Sequence, residues 1–320
     1  MSAPRLLRHV VLAAALGAAV AVGLALAANL PATLAALARF RWGLWPLVVA
    51  AVLTNYAMRF LKWHFYLRRL SIPLAWRPSV LVFLAGFTMS ITPGKLGELL
   101  KALLVRDTVG TEVSRTASVV IAERLTDVAG LLILSALGAT ALPHGALLLG
   151  SVTVLLILAV AALSTPRLTS LARRAVPERF LVTRLIEPLR RFLGSGRALL
   201  APGALSLAVV LSVVSWFFEC LALYLVLDGL GAAIPLRAAT FLYAFASLAG
   251  AVSMLPGGLG VAEGSLTALL VGLGTSLPDA AAATLLVRAA TLWLAVGIGV
   301  ATLLLAFRGG PAGTERPPAA

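Results

Sequence analysis

Cysteine is almost missing from this 320-residue chain, where Cys220 stands alone. An intrachain disulfide is therefore excluded, and the place of Cys220 inside a long apolar run argues against a thiol-based mechanism. Histidine is nearly as scarce: His9, His64 and His144 sit near separate segment ends and share no metal-ligand spacing. Charge is the third shortage. Asp, Glu, Lys and Arg make up 12% of the residues, roughly half of what a soluble domain carries. The deficit falls on the acids, 12 against 26 Lys and Arg, which leaves a formal net charge of +14.

What the chain has instead is apolar length. Hydrophobic residues make up 61%, and mean hydropathy is +1.02. About 20 apolar residues at 1.5 Å each cover the roughly 30 Å hydrocarbon core, so the uncharged runs predict an all-α, polytopic membrane protein. Continuous spans read at about 10–28, 43–61, 117–140, 145–164, 203–227 and 280–306. The first, with its charged start and the ending Ala25-Leu26-Ala27, imitates a secretory signal. Its apolar stretch exceeds the usual h-region of about 7–15 residues, so it is read as an uncleaved span. Two more apolar regions, about 79–105 and 238–272, are interrupted by Pro-Gly. Six full spans and two re-entrant broken hairpins give eight hydrophobic segments in a single membrane domain, 1–307.

The connector 165–200 is the one substantial polar stretch, with eight arginines against Glu178 and Glu187. Leu181, Leu185 and Phe192 fall on one helical face and Arg179 and Arg190 on the other, the pattern of a helix lying in the headgroup layer. The tail 308–320 is too polar and too rich in Pro and Gly to pack, and is expected to be disordered. In a soluble protein the positive excess would suggest nucleic acid. Here it reads as a topology signal toward the cytoplasm and its anionic lipids, with no nucleic-acid partner. With a cytoplasmic N-terminus and both hairpins re-entrant, 18 basic residues, Arg68, Arg69, Arg77, Arg106 and Arg115 among them, share the inner side. Only Arg39, Arg41 and Arg237 face out. That predicts a multi-pass protein of the inner (plasma) membrane with both termini in the cytoplasm.

The two interruptions are one motif used twice. Pro93, Gly94, Leu96 and Gly97 in "SITPGKLGELLK" recur 163 positions later as Pro256, Gly257, Leu259 and Gly260 in "SMLPGGLGVAEG". Glu98 answers to Glu263 after a two-residue insertion, and Arg124 recurs as Arg288 inside the following span. This ordered recurrence predicts an internal duplication, with repeat one at about 43–140 and repeat two at about 203–306. Under the hairpin topology the copies enter from opposite faces, as inverted repeats of the kind that build secondary transporters. Gly94-Lys95 lacks the spacing and the Ser/Thr of a phosphate-binding loop.

Pro removes a backbone donor and Gly permits the reversal, so each break leaves polar backbone that lipid cannot satisfy. The breaks must be buried in protein or line a wet cavity. A half-helix starting after Pro93 or Pro256 would point free N–H groups and its positive dipole end at a negative ligand, such as a lipid phosphate. Ser90, Thr92 and Ser253 either cap the turns or meet that ligand, and Gly258 completes the second turn. A charge at mid-bilayer costs roughly 2.5–3.5 kcal/mol on insertion scales and needs a partner. Arg124 and Asp127 form an i,i+3 pair beside Glu123, and Glu98, Glu219 and Glu263 are the candidate partners of Arg288. The simplest scheme joins Glu98 to Arg124 and Glu263 to Arg288. The alternative to a ligand role is that these pairs only staple the hairpins in place. Arg59 and Lys62, beside Trp63 at a span end, read as snorkelling anchors, and Lys95 and Lys101 as anchors or ligand contacts.

The stretches "GFTMSITPGKLGELLKALLV", "VVIAERLTDVAGLLIL", "LPGGLGVAEG" and "LLVRAATLWLAVGIG" resemble the lysylphosphatidylglycerol synthase transmembrane-region family of flippase-like proteins, over about residues 10–306. The resemblance implies lipid translocation between leaflets. It also implies that Pro93, Gly94, Gly97, Glu98, Glu123, Arg124, Pro256, Gly257, Gly258, Gly260, Glu263 and Arg288 occupy motif positions. Bifunctional members carry a soluble aminoacyl-transferase domain, whereas only a short tail follows Phe307 here, so an aminoacylating enzyme is not expected. The leading expectation is a transporter of an anionic, aminoacylated or polyprenyl-linked lipid, without a cofactor. Its partners would be membrane lipids, with a homo-oligomer or an envelope-biosynthesis partner as further candidates. An intramembrane lipid-modifying enzyme using Glu98, Glu123 or Glu263, and a scaffold acting through the connector, are the alternatives.

Overall fold

In the computed structural model the described residues are 3–91, 100–140, 144–151, 153–154, 195–196 and 198–307. The connector 165–194, the tail 308–320, most of the span expected at 145–164 and the first motif from Thr92 to Glu98 lie outside them. Helix is the secondary structure of the described residues, and no strand occurs among them.

Three helices are long and apolar enough to cross a bilayer: Trp42–Arg69, Pro202–Gly229 and Leu277–Ala306. The first contains α3 (Trp45–Arg69), and the second is α7 (Pro202–Gly229). The third comprises α10 (Leu277–Arg288), a five-residue π-turn over Ala289–Trp293, and α11 (Leu294–Phe307). α3 runs eight residues past the expected end at 61, which moves Arg59 and Lys62 from a span terminus into a helix interior. α6 (Val113–Ala139) is of similar length, but carries Glu123, Arg124 and Asp127.

The amino-terminal segment is bent. α1 (Ala3–Ala27) turns through 100° into α2 (Leu30–Arg39), a helix not anticipated from the apolar runs. Asn29 makes the corner at φ 72°, and its side chain caps α2 by accepting from the Ala32 N–H. Pro31 in the first turn is compatible with that start. Both helices pack on α10.

The remaining elements follow one order twice. α3, α4 (Trp76–Gly86), α5 (Leu100–Val109) and α6 are matched by α7, α8 (Leu236–Val252), α9 (Val261–Gly272) and the α10–α11 helix. The connections match bond for bond. After α3, Leu70, Ser71, Ile72 and Leu74 donate to Tyr66, Arg68, Leu67 and Ile72. After α7, Leu230, Gly231, Ala232 and Ile234 donate to Val226, Asp228, Leu227 and Ala232, each 160 positions later. Both turns pass through a positive φ, 52° at Ser71 and 78° at Gly231.

α3 and α7 pack against each other and run antiparallel. The Arg41 N–H before α3 donates to Gly229 at the end of α7 (3.0 Å), and Lys62 late in α3 reaches Ser212 early in α7 (2.6 Å). Between them Asn55 donates to the Ser215 carbonyl at 2.8 Å, joining two equivalent positions. The two sets of four then exchange partners: α6 packs on α8, and α11 packs on α4 and the 3-10 turn Phe87–Met89 that follows it. Glycine permits both contacts. A Cβ at Gly138 would lie 2.7 Å from the Arg237 carbonyl oxygen, and one at Gly299 only 2.3 Å from the Thr88 nitrogen. Lipid chains are as apolar as leucine, so such close packing and buried polar contacts, rather than transfer from water, hold helices together in a bilayer.

The second interrupted region ends where it begins. Ile234, before α8, and Leu273, after α9, line one recess of about 320 Å³ together with Leu230 and Asp279. Its tip is a 3-10 turn, Pro256–Gly258. Ile91, the last described residue before the first motif, lies against that tip: a Cβ at Gly257 would be 3.7 Å from its Cα.

Candidate functional site

Between the two sets of helices lies a cavity of about 260 Å³. Its wall is built from equivalent positions. Tyr56 and Arg59 of α3 face it, and so do Trp216 and Glu219 of α7, 160 residues on. Arg124, Asp127, Val128 and Leu131 of α6 line it, and so do Arg288, Thr291, Leu292 and Ala295, 164 residues on. The spacing i, i+3, i+4, i+7 places each quartet on one helical face. Ser90, Gly257 and Gly258 complete the wall at the two interruptions, and Tyr243 closes it from α8. Met254 and Leu255 line the cavity and are 59% and 46% exposed, so its mouth lies beside the second break.

The second break is pinned by the pair expected there. Arg288 donates through Nε to Glu263 at 2.6 Å and through a terminal nitrogen to the Gly257 carbonyl at 2.9 Å. The other carboxylate oxygen of Glu263 accepts from the Gly260 N–H at 2.7 Å, occupying a backbone donor at the start of α9. Gly257, Gly258 and Gly260 have φ of 61°, 67° and 84°, which side-chain-bearing residues rarely adopt. Pro256 starts the 3-10 turn. Ser253 closes the preceding turn, donating to Gly250 at 2.7 Å and accepting from Leu255 at 3.3 Å. Those are capping contacts, one of the two roles expected of it.

The first half carries a denser polar network. Asp127 sits at 2.5 Å from Lys62, 3.2 Å from Arg124 and 3.7 Å from Arg59. The Lys62 ammonium also reaches Ser212 at 2.6 Å and Thr126 at 3.3 Å, tying α3, α6 and α7 together. Lys62 is 1% exposed and the Arg59 side chain 13%, so neither snorkels. The expectation of anchors fails because α3 continues to Arg69. The signal lay in the acid four positions beyond Glu123, which needed a cation from another helix. Lys101 pairs with Glu123 at 2.6 Å and lies over the Trp63 ring at 4.4 Å. That pair is buried behind the cavity rather than on its wall. Arg124 meets Asp127, whereas its expected partner Glu98 lies outside the described residues, as do Thr92, Pro93, Gly94, Lys95 and Gly97. Glu219 accepts from the Tyr243 hydroxyl at 2.6 Å. Tyr56, Trp216 and Tyr243, which sequence reasoning passed over, are three of the groups that line the cavity. Among the described residues no three His, Cys, Asp or Glu side chains come together as metal ligands would.

Comparison with known proteins agrees with the resemblance. The profile of the family described as the lysylphosphatidylglycerol synthase TM region matches residues 10–299. The chain belongs to this family. A relative described as a UPF0104 membrane protein, from Methanothermobacter thermautotrophicus, is 28% identical over 276 residues, covering 80% of this chain and 82% of its own. A second match of the same description and organism is 30% identical over 95 residues, 30% of this chain and 28% of its own. In this lysylphosphatidylglycerol synthase TM-region protein, the match runs through both sets of elements into α11 and takes in the whole described cavity wall.

Proposed function

We propose that this protein moves a lipid with an anionic headgroup between membrane leaflets, by alternating access to the central cavity. The observation that carries this reading is the wall itself. Arg124 and Arg288 come from equivalent positions in two matched sets of helices and share one space with Arg59. Guanidinium groups suit a phosphate because they present several donors in a planar fork and stay charged. Asp127 and Glu219 share the wall, and the excess of positive charge that three guanidiniums leave attracts an anion more strongly in a partly enclosed, low-dielectric space than it would in water.

The antiparallel contact of α3 with α7 and the exchanged packing of α6 and α11 support an inverted relation between the halves. The shared recess at the two ends of the 238–272 region supports a re-entrant second hairpin. By the distribution of arginines, the end carrying Arg68, Arg69, Arg77, Arg106 and Arg115 faces the cytoplasm of the inner (plasma) membrane, and Arg39, Arg41 and Arg237 face out. Halves related in this way can exchange roles, so the cavity opens to one side and then the other. On this reading the protein is a transporter rather than an enzyme, and its partners are membrane lipids.

The test is leaflet exchange of headgroup-labelled lipids in vesicles carrying the purified protein. Expected is faster exchange of at least one phosphate-bearing lipid, lost in Arg124→Gln and in Arg288→Gln. No acceleration across a broad panel of anionic, aminoacylated and polyprenyl-linked lipids would refute the proposal.

A further inference from the structure

We infer that the cavity holds two mutually exclusive latches at equivalent positions, and that this structure has one of them closed. The inference rests on the alternating-access reading and names the contact that would be exchanged. In the closed latch the Tyr56 hydroxyl of α3 donates to the Thr291 carbonyl in the π-turn that follows α10. The π-turn has no counterpart in α6, which is a continuous α-helix through the matching positions. A one-turn π-segment displaces backbone carbonyls from their usual partners and often marks a working site. Here the Thr291 carbonyl accepts from the tyrosine as well as from the Leu294 N–H.

The equivalent of Tyr56 is Trp216, 160 positions later, and the equivalent of Thr291 is Asp127, 164 positions earlier. Both line the same cavity as the closed latch. Trp216 is 6% exposed, and its indole N–H is a buried donor with no acceptor among the described residues. Asp127 Oδ2 is a buried acceptor that makes no aligned hydrogen bond among them, although Arg124 and Arg59 lie nearby. A buried donor left unmet is costly, and natural structures rarely keep one without a reason. Trp216 and Asp127 occupy the positions equivalent to Tyr56 and Thr291, with a carboxylate as the acceptor in place of a main-chain carbonyl. When the halves exchange roles, Trp216 Nε1–H donates to Asp127 and Tyr56 releases Thr291. The unmet indole N–H is the cost carried by the present conformation, and the Tyr56 bond offsets it.

The experiment reads conformation without any transported lipid. The full chain carrying Cys220→Ala and Met254→Cys is placed in lipid nanodiscs, and the rate of labelling by a water-soluble maleimide is measured. Position 254 is exposed at the mouth in the Tyr56-latched state. Tyr56→Phe should slow labelling about two- to tenfold, the population shift expected for one net hydrogen bond. Trp216→Phe should leave the rate unchanged or raise it, and the double variant should return toward the parent. A second readout needs no cysteine. Nitrogen-15 indole NMR, with the Trp216 signal assigned through Trp216→Phe, should show a new hydrogen-bonded resonance in Tyr56→Phe.

Single variants that move labelling in the same direction, or no new indole resonance in Tyr56→Phe, would overturn the latches. Shifted labelling with no lipid exchange would uphold the latches and sink the lipid reading. Lipid exchange with unshifted labelling would do the reverse.

Discussion

The contact between Lys62 and Asp127 gives the sharpest test of how charge is held inside this fold. The ammonium and the carboxylate are 2.5 Å apart, with side chains 1% and 5% exposed. An exposed ion pair contributes about 0–1 kcal/mol, whereas removing one partner of a buried pair costs about 3–5 kcal/mol because the other charge is stranded. Asp127→Asn leaves the Lys62 ammonium among neutral acceptors, the Thr126 and Ser212 hydroxyls and the Glu123 carbonyl. Lys62→Met strands Asp127 less, since Arg124 and Arg59 remain within 3.7 Å. The acid substitution should therefore cost the upper part of that range, about 4–5 kcal/mol, and the lysine substitution about 2–3 kcal/mol. In the double variant neither charge is stranded by the other, so its cost should be no more than that of Asp127→Asn alone. The assay is a double-mutant cycle on reversible denaturation in mixed micelles, with a coupling energy of about 2–3 kcal/mol expected. Additive single costs, or a coupling below about 0.5 kcal/mol, would refute a buried pair and restore the snorkelling picture.

Three further outcomes follow from the breaks and the close contacts. Arg288→Lys should fail almost as badly as Arg288→Gln in thermal stability measured in detergent, because one ammonium cannot serve both Glu263 and the Gly257 carbonyl as the planar fork does. Gly258→Ala should lower stability more than Gly260→Ala. Both positions have positive φ, but a Cβ at 258 would also lie 3.0 Å from the Gly250 Cα, while at 260 the space is open. That strain is of order 1–3 kcal/mol, read as a drop in the denaturation midpoint. Gly299→Ala should disturb the packing of α11 on the end of α4, its Cβ falling 2.3 Å from the Thr88 nitrogen, and should lower the yield of folded protein in size-exclusion chromatography.

Much of the architecture could be read from residue order, because a bilayer enforces length and apolarity. The runs at 43–61, 203–227 and 280–306 are the cores of α3, α7 and the α10–α11 helix. The recurrence from Pro93 to Pro256 and from Arg124 to Arg288 pointed to the matched sets of elements and to the Glu263–Arg288 contact. Three features were not legible, each for a physical reason. Hydropathy ends a span at the first cluster of charge, so Arg59 and Lys62 were placed at a terminus, although a buried acid on α6 holds them inside. α2 was missed because ten residues are too few to cross a bilayer, yet Asn29 followed by Pro31 is a helix-start signal that could have found it. The π-turn after Arg288 was not legible because the contact that accompanies it, from the Tyr56 hydroxyl to the Thr291 carbonyl, comes from another helix. The paired lining of the cavity was implicit in the offsets 160 and 164, but which faces meet is decided by tertiary packing.

The most direct measurement locks the two interruptions together. Ile91→Cys and Gly257→Cys, in a Cys220→Ser background, place two sulfurs where the approach of side chain to backbone is within disulfide reach. With the protein in vesicles, oxidation should stop leaflet exchange of a phosphate-bearing lipid, and reductant should restore it. Undiminished exchange in fully cross-linked protein would contradict two halves moving about a shared cavity.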